Sequence, residues 1–448
     1  MSISPARAAA FDILLRVEKH SAYATELLHS TNTDHLSPAD RGLCMEIVMG
    51  VLRWRSRLDE HIVRFSFTPF RKLDIEVLTA LRMGAYQLEF LDRVPARAAV
   101  NESVELVKRG RKASAAALAN VVLRKISQNI STAEDTEGAE EPRFITADLL
   151  AKKYAHPEWL VGRWVAQYGA ETTTKICHFN QAAPTTALRL RDAAAEEELR
   201  AENIELAPGV LLTSARRVVS GDPTRTRACA AGAAYVQDEG SQLIAALVGR
   251  GQRILDCCAA PGGKTAALAD RNPQAQIIAV ELHEHRARLM RRLVPAANVR
   301  IIAADATMLP VSGGFDRVLV DVPCSGTGTL ARNPEIKWRL QPKDLSELHA
   351  RQVAILSAAL EHVAPGGRLL YSTCSLEEEE NQAVVEEALH KKKSDFRLLD
   401  CREELQQLKQ NGEMVWDDIG SLMQALFLRT IPGVHPCDGF FAAVLEKP

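Results

Sequence analysis

Apolar residues in the N-terminal region recur every three or four positions, the spacing of helices with one buried face. In PARAAAFDILLRVEKH this spacing places Ala9, Ile13 and Val17 on one stripe. A further helix is predicted to begin at Ser37, a good N-cap, with Pro38 in its first turn. Because IEVLTALRMGAYQLEFL and RAAVNESVELVKR continue the pattern, residues 1–128 are predicted to form an all-α bundle.

The pattern then changes twice. Residues 129–143 are acidic and lack apolar periodicity, which predicts a flexible linker. In residues 144–235, YAHPEWLVGRWVAQYG predicts a helix, and TTALRLRD and GVLLTSARRVV predict strands around the helical AAAEEELRAEN. We therefore expect a small α+β subdomain in this stretch.

Residues 236–448 alternate between apolar strands and helical segments. The predicted strands are QRILDCC, AQIIAVEL, VRIIAAD, FDRVLVDV and GRLLYSTC. Strands that are apolar almost throughout predict a parallel sheet covered on both faces, hence an α/β domain. Ligands of such sheets bind beyond the carboxyl ends of the strands, so the residues there are candidates for a site.

Composition narrows the class of protein. The 448 residues contain no apolar run of transmembrane length, and Arg7 and Asp12 interrupt any signal-peptide core, so we expect a cytoplasmic protein without a membrane partner. Its nine cysteines should be mostly reduced there, and because no CxxC pair occurs we expect no metal site.

The net charge of −2 does not indicate whether the protein binds a nucleic acid. In residues 1–128, however, basic residues outnumber acidic ones and form clusters. Arg53, Arg55 and Arg57 lie in RWRSR, and Lys108 and Arg109 lie in KRGRK. Such clusters can neutralise RNA phosphates, although a solvated helical surface is the alternative.

A glycine turn follows the first predicted strand of the α/β domain, in LDCCAAPGGKTAALAD. Gly262 and Gly263 allow a tight turn and close approach to a ligand. Glu281, at the end of the next strand, is placed to bind ribose hydroxyls, and Asp305 and Asp321 end the third and fourth strands.

Three kinds of nucleotide-like binding site could contain this turn. A P-loop triphosphatase needs a glycine where Cys258 stands, and a dinucleotide dehydrogenase needs a GxGxxG that is absent. An S-adenosylmethionine site needs neither, and acidic residues at three strand ends favour it.

Cys324 and Cys374 also follow apolar strands, in DVPCSGTG and YSTCSLEEEEN. A thiolate that adds to carbon 6 of cytosine makes carbon 5 nucleophilic enough to accept a methyl group. Asp321 is placed to interact with ring nitrogen 3, and Lys264 could add positive charge. A packed strand-end thiol is the alternative for each cysteine, and the residues alone do not choose between the two as nucleophile.

CAAPGGKT, DVPCSGTGTLARNPEIKWR and YSTCSLEEEEN together resemble the RNA cytosine-5 methyltransferases of the Nol/Nop/Sun family. The helical region resembles the antitermination factor NusB, and this pairing is similar to the bacterial Sun/Fmu type, which methylates 16S rRNA. The resemblance implies a Rossmann-like domain, S-adenosylmethionine as cofactor and 16S rRNA as partner. It also implies that Cys374 is the nucleophile and that Cys324 assists product release.

The resemblance further implies a set of cofactor contacts: Cys258, Ala259, Ala260, Pro261, Gly262, Gly263, Lys264, Glu281, Asp305 and Asp321. In RNPEIKWR, we expect Arg332, Lys337 and Arg339 to hold phosphates in an active-site loop. Ser375 precedes the run Glu377–Glu380 and is expected to cap a helix, with Glu378 completing a capping box.

Two alternatives stay open beside a monomeric 16S rRNA methyltransferase. The same chemistry could act on tRNA or another RNA, and the NusB-like region is the feature that favours rRNA. The chain could instead be a non-catalytic RNA-binding assembly factor, which the presence of Asp321, Cys324 and Cys374 disfavours.

Overall fold

A computed structural model describes residues 3–30, 33–133, 146–391 and 395–448. The chain divides into two compact units. The first comprises Met1–Ala183 and Leu330–Arg339, and the second comprises Pro184–Thr329 and Leu340–Pro448.

The first unit is helical, as the apolar spacing predicts. Ile13, Leu14 and Val17 of the first helix are buried in its core, and Ser37 Oγ accepts a hydrogen bond from Asp40 N as the predicted N-cap. The helices are α1 (Pro5–His20), α2 (Ala24–Leu28), α3 (Pro38–Arg53), α4 (Arg55–Phe65), α5 (Ile75–Phe90), α6 (Ala96–Arg109), α7 (Ala116–Ala133), α8 (Ala147–Lys153) and α9 (Glu158–Gln181).

Helix α7 extends through residues 129–133, where the flexible linker was expected to begin. The remainder of that predicted linker, 134–143, lies outside the described residues. Helices α8 and α9 lie in the segment predicted as an α+β subdomain, but they belong to the helical unit.

The second unit begins with a small antiparallel sheet, which confirms the predicted α+β subdomain. Its strands run in the order β2-β3-β1-β4. The elements are β1 (Ala187–Leu190), α10 (Ala193–Ala201), β2 (Glu205–Pro208), β3 (Ala215–Ser220), α11 (Arg227–Ala230) and β4 (Ala234–Val236).

The large sheet contains all five predicted strands. Its strands are β5 (Arg253–Asp256), β6 (Gln276–Glu281), β7 (Val299–Ala303), β8 (Phe315–Asp321), β9 (Val363–Thr373), β10 (Arg397–Leu399), β11 (Met423–Gln424), β12 (Phe427–Arg429) and β13 (Phe441–Glu446). The accompanying helices are α12 (Glu239–Leu247), α13 (Gly263–Arg271), α14 (Glu284–Leu293), α16 (Pro342–Leu360), α17 (Gln382–Lys391) and α18 (Cys401–Gln410); the short α15 (Ile336–Arg339) belongs to the helical unit.

Strands β9, β8, β5, β6 and β7 are adjacent and parallel, as predicted. Alternate side chains of β8 pack into different cores, Val318 and Val320 into one and Leu319 into the other, so both faces are covered. The prediction missed the antiparallel extension in which β13 pairs with β9, and β10 and β12 pair with β13. The parallel strand ends position the candidate site.

The packing of α3 on α5 gives a test of the helical unit. A Cβ added at Gly50 would overlap the ring of Tyr86 on α5. We expect Gly50→Ala to lower the free energy of unfolding by about 1–3 kcal/mol through overpacking. Urea unfolding followed by far-ultraviolet circular dichroism measures this change.

Gly42→Ala on the same helix is the matched control, because a Cβ there would have no atom within 4 Å. Alanine is the better helix former by about 1 kcal/mol, so this variant should be as stable as the parent or more stable. Equal stabilisation by both substitutions would contradict the packing explanation.

Candidate active site

The two candidate cysteines leave the sheet at the same edge. In the parallel pair of β8 and β9, Asp321 is level with Ser372, so the segments that follow these strands start side by side. The Sγ atoms of Cys324 and Cys374 are 3.3 Å apart, and both side chains are partly exposed. The fold therefore brings together the two thiols that the sequence singles out.

Lys264 and Asp321 form an ion pair at this edge. Lys264 Nζ lies 2.8 Å from Asp321 Oδ2, and Ser372 Oγ donates a hydrogen bond of 2.7 Å to Asp321 Oδ1. Burial by itself lowers the pKa of Lys264, but the charges of Asp321 and Cys374 outweigh it and the pKa is raised. Lys264 therefore keeps its positive charge beside the carboxylate and the thiols.

Three of the thiols near this edge have raised pKa values. The hydrogen bond with Cys374, together with burial, raises the pKa of Cys324 well above its ordinary value. Burial also raises the pKa of Cys257 and Cys258, which makes these two thiols poor nucleophiles. Cys324 thus keeps its proton at 3.3 Å from the sulfur of Cys374.

The predicted cofactor segment lies between β5 and α13, next to the ion pair. Gly262 has φ of 112°, and a Cβ there would lie 2.6 Å from Val294 Cγ2, so the turn needs glycine. Ala259 N donates to Val280 O at 2.9 Å, which holds the segment against β6. The segment consists of Cys258, Ala259, Ala260, Pro261, Gly262, Gly263 and Lys264.

The acidic residues predicted to bind the nucleoside follow the neighbouring strands. Glu281 ends β6, is buried and accepts a hydrogen bond of 2.9 Å from His283 N. Asp305 follows β7, and hydrogen bonds from Thr307 lower its pKa. Both carboxyl groups thus lie at the edge where the glycine turn begins.

Gln237 was not predicted but lies beside this turn. A Cβ added at Gly263 would be 3.6 Å from Gln237 Nε2, and Gln237 Oε1 is buried with no hydrogen-bond partner among the described residues. An unsatisfied buried oxygen suits a ligand that carries an ammonium group. With the acidic strand ends, these residues fit S-adenosylmethionine.

Asp256 was also missed, although it ends β5 as Asp321 ends β8. It is buried, and Thr265 Oγ1 donates to Asp256 Oδ2 at 2.7 Å. Burial raises the pKa of Asp256 to about 7. The rule that selected the other strand-end acids would have found it in the stretch LDCC.

The expected capping box after Cys374 is wrong. Residues Glu378–Glu380 form a single 3-10 turn, and α17 begins only at Gln382. Ser375 Oγ accepts from Glu377 N at 3.0 Å and bonds Glu380 Oε2 at 2.5 Å. Glu380 is fully buried, and no feature of a four-glutamate run distinguishes it from its neighbours.

Three of the predicted RNA contacts instead hold the segment Leu330–Arg339 within the helical unit. Lys337 is buried, donates to Arg53 O at 2.9 Å and has its pKa lowered by burial. Arg53 is buried too and donates to Ala331 O at 3.0 Å. Arg339 donates to Val17 O at 2.8 Å. These guanidinium and ammonium groups bind backbone carbonyls, and those of Arg53 and Lys337 are buried, whereas Arg339 is partly exposed.

The side chains of the other basic candidates are more exposed to solvent than those of Arg53 and Lys337. The exposed side-chain fraction is 45% for Arg57, 48% for Lys108 and 47% for Arg109, and each pairs with an acidic residue. Arg55 is 26% exposed and lies 3.0 Å from Glu18. Arg332 is half-buried.

Within the described ranges, no group of three or more His, Cys, Asp or Glu side chains is arranged to hold a metal ion. In the same part of the chain, no helix has the length and apolar character needed to cross a bilayer. The expected absence of a metal stays a prediction.

Three family models match the chain. They are the NusB family over residues 4–128, the RsmF/B-like ferredoxin-like domain over 156–218, and 16S rRNA methyltransferase RsmB/F over 246–446. These matches confirm the predicted resemblance to Sun/Fmu-type methyltransferases with a NusB-like region.

Individual proteins agree with these matches. A probable ribosomal RNA small subunit methyltransferase B of Bacillus subtilis is 34% identical over 86% of this chain and 88% of its own. The ribosomal RNA small subunit methyltransferase B of Vibrio cholerae is 31% identical over 92% of this chain and 91% of its own. The crystal structure of PH0851 shares the fold, with a TM-score of 0.79 at 23% identity over 100% of both chains. The chain therefore belongs to the RsmB/F family of S-adenosylmethionine-dependent 16S rRNA methyltransferases.

Proposed function

We propose that this protein methylates carbon 5 of a cytosine in 16S rRNA through a covalent adduct with Cys374. The observation that carries the proposal is the pair of thiols, Sγ to Sγ 3.3 Å, beside the ion pair of Lys264 and Asp321. The names of the relatives support the small-subunit rRNA as substrate. An enzyme that modifies a base in this way must first expose it from stacking.

In this mechanism Cys374 attacks as the thiolate. Its sulfur bonds to carbon 6 of the cytosine. Ring nitrogen 3 takes up a proton that the ammonium of Lys264 gives up through Asp321, its partner at 2.8 Å. Carbon 5 then has enamine character. S-adenosylmethionine would be held by Cys258–Lys264, Glu281 and Asp305, and its sulfonium would supply the methyl group.

Product release reverses the sulfur addition. Carbon 5 loses its proton to solvent water, nitrogen 3 returns its proton to the pair of Asp321 and Lys264, and the bond between carbon 6 and Cys374 breaks with its electron pair left on the sulfur. Cys324 assists because its thiol keeps its proton and lies 3.3 Å from the departing sulfur, to which it can donate a hydrogen bond. The net exchange is one methyl group for one proton.

We further propose that the NusB-like region binds rRNA through its exposed basic side chains. Arg57, Lys108 and Arg109 are about half exposed and can exchange their present acidic partners for phosphates. The monomeric state and the cytoplasmic location stay predictions.

Methyl transfer to purified RNAs tests the substrate. With labelled S-adenosylmethionine, we expect label in small-subunit rRNA and none in large-subunit rRNA or tRNA. Nuclease digestion should release the label as 5-methylcytidine. Label confined to tRNA would keep the chemistry and overturn the substrate, and label in another nucleoside would overturn the chemistry.

Substitution of each cysteine tests the assigned roles. Cys374→Ala should reduce methyl transfer by roughly 10⁴-fold or more, as the loss of a nucleophile does in other covalent enzymes. Cys324→Ala should form the adduct but release it slowly, so enzyme and rRNA should migrate together in a denaturing gel.

Cys229→Ala is the matched control, since Cys229 is also partly exposed but lies in the short helix α11 of the small subdomain. It should transfer methyl groups at the parent rate and form no stable adduct. An active Cys374→Ala enzyme would refute the nucleophile assignment.

A further inference from the structure

The carboxylate of Glu380 joins the two segments that carry the thiols. Ser325 N donates to Glu380 Oε1 at 2.8 Å, and the hydroxyl of Ser325 bonds to Oε2. The hydroxyl of Ser375 bonds to the same Oε2 at 2.5 Å. Ser325 directly follows Cys324, and Ser375 directly follows Cys374. The residue next to each cysteine is therefore hydrogen-bonded to this carboxylate.

A fourth donor completes the arrangement. Gln352 Nε2 donates to Glu380 Oε1 at 2.9 Å and to Pro323 O at 3.0 Å. Four donors saturate the two oxygens of an ionised carboxylate. Burial raises the pKa of Glu380, and these donors partly offset the rise. A carboxyl group this deeply buried is tolerated because its hydrogen bonds replace the lost water.

The two segments depend on Glu380 to different degrees. The backbone after β9 has further ties that do not involve the Cys324 segment, since Asn381 Nδ2 donates to Ser375 O at 3.0 Å and Arg429 Nη2 donates to Leu376 O at 2.6 Å. The turn at Cys324 is held on its two sides by Glu380 and by Gln352, which itself bonds Glu380. Loss of the carboxylate should therefore displace Cys324 more than Cys374.

We infer that Glu380 is a positioning residue that keeps the thiols of Cys324 and Cys374 in contact. It acts through Ser325 and Ser375, which its carboxylate oxygens bind. The geometric part of this inference is independent of the reaction, whereas its kinetic consequence rests on the proposed function.

Oxidation of the full-length enzyme by diamide tests the geometry. A disulfide forms only when the two Cβ atoms are about 3.5–4.5 Å apart, so the rate of Cys324–Cys374 linkage, followed by peptide mass spectrometry, reports their proximity. Glu380→Gln keeps the shape of the side chain but puts an amide donor where a hydroxyl donates. We expect the linkage to slow by up to about 100-fold, the effect of a displacement near 1 Å.

Methyl transfer to small-subunit rRNA tests the consequence. Glu380→Gln should lower kcat by up to about 100-fold with KM for S-adenosylmethionine unchanged, because positioning rather than binding is lost. More of the enzyme should be recovered as the covalent rRNA adduct, as expected for Cys324→Ala. The matched control is Glu378→Gln, a neighbouring exposed glutamate, which should equal the parent in all three measurements.

Ser325→Ala keeps the experiment decisive if Glu380→Gln does not fold, because it removes one hydroxyl and leaves the carboxylate in place. It should show the same changes to a smaller extent. Parent linkage rates and parent kcat in the folded variants would overturn the inference. An active Cys374→Ala enzyme would instead overturn the proposed function, and the diamide rates would still decide the role of Glu380.

Discussion

The parallel pairing of β8 with β9 sets the geometry on which the rest of the site depends. It places Asp321 level with Ser372, and their hydrogen bond follows from that register; Lys264 of α13 adds an ion pair to the same carboxylate. A shift by one residue would move one segment by about 3.3 Å relative to the other, as much as the whole separation of the two sulfurs. Burial of β8 on both faces opposes such a shift, since Val318 and Leu319 pack into different cores.

Beyond the strand ends, sheet hydrogen bonds no longer hold the chain, and polar side chains take over. Backbone hydrogen bonds hold β8 to β9, and beyond the strands Glu380 has this role because it binds the serine that follows each cysteine. Asn381 extends this network, because its Nδ2 donates to Ser375 O at 3.0 Å and its Oδ1 accepts from Thr373 Oγ1 at 2.5 Å. A buried polar network of this kind is rigid when all its members are satisfied and costly when one is removed. The thiols therefore sit on a stiff edge, although they lie outside regular structure.

Much of this site was predictable from local pattern. Apolar runs that end in Asp321, Cys324 or Cys374 indicate strands and their carboxyl ends, and parallel topology brings those ends together without any knowledge of contacts. The glycine turn before Lys264 was predictable for the same reason, since a short strand, a tight turn and a helix are specified by neighbouring residues.

Contacts between residues distant in sequence were not predictable in this way. Lys337 and Arg339 have the composition of a phosphate site, yet their charges bind carbonyls at the ends of α3 and α1. Glu380 belongs to a run that suggests a solvated helix start, and only the three-dimensional structure shows its carboxylate buried under both cysteine segments. The antiparallel strand β13 lies far along the chain from β9, so their pairing leaves no local signal.

The contact between the thiols also bears on which of them reacts. Two thiolates 3.3 Å apart would repel each other strongly, so ionisation of one sulfur opposes ionisation of the other. The hydrogen bond with Cys374 and burial raise the pKa of Cys324, which therefore keeps its proton. In the mechanism that we propose, the thiol of Cys324 is then the hydrogen-bond donor for the departure of Cys374 from carbon 6. In that proposal the contact between the thiols, rather than the chemistry of either cysteine by itself, separates the two roles, and residue type alone does not distinguish them.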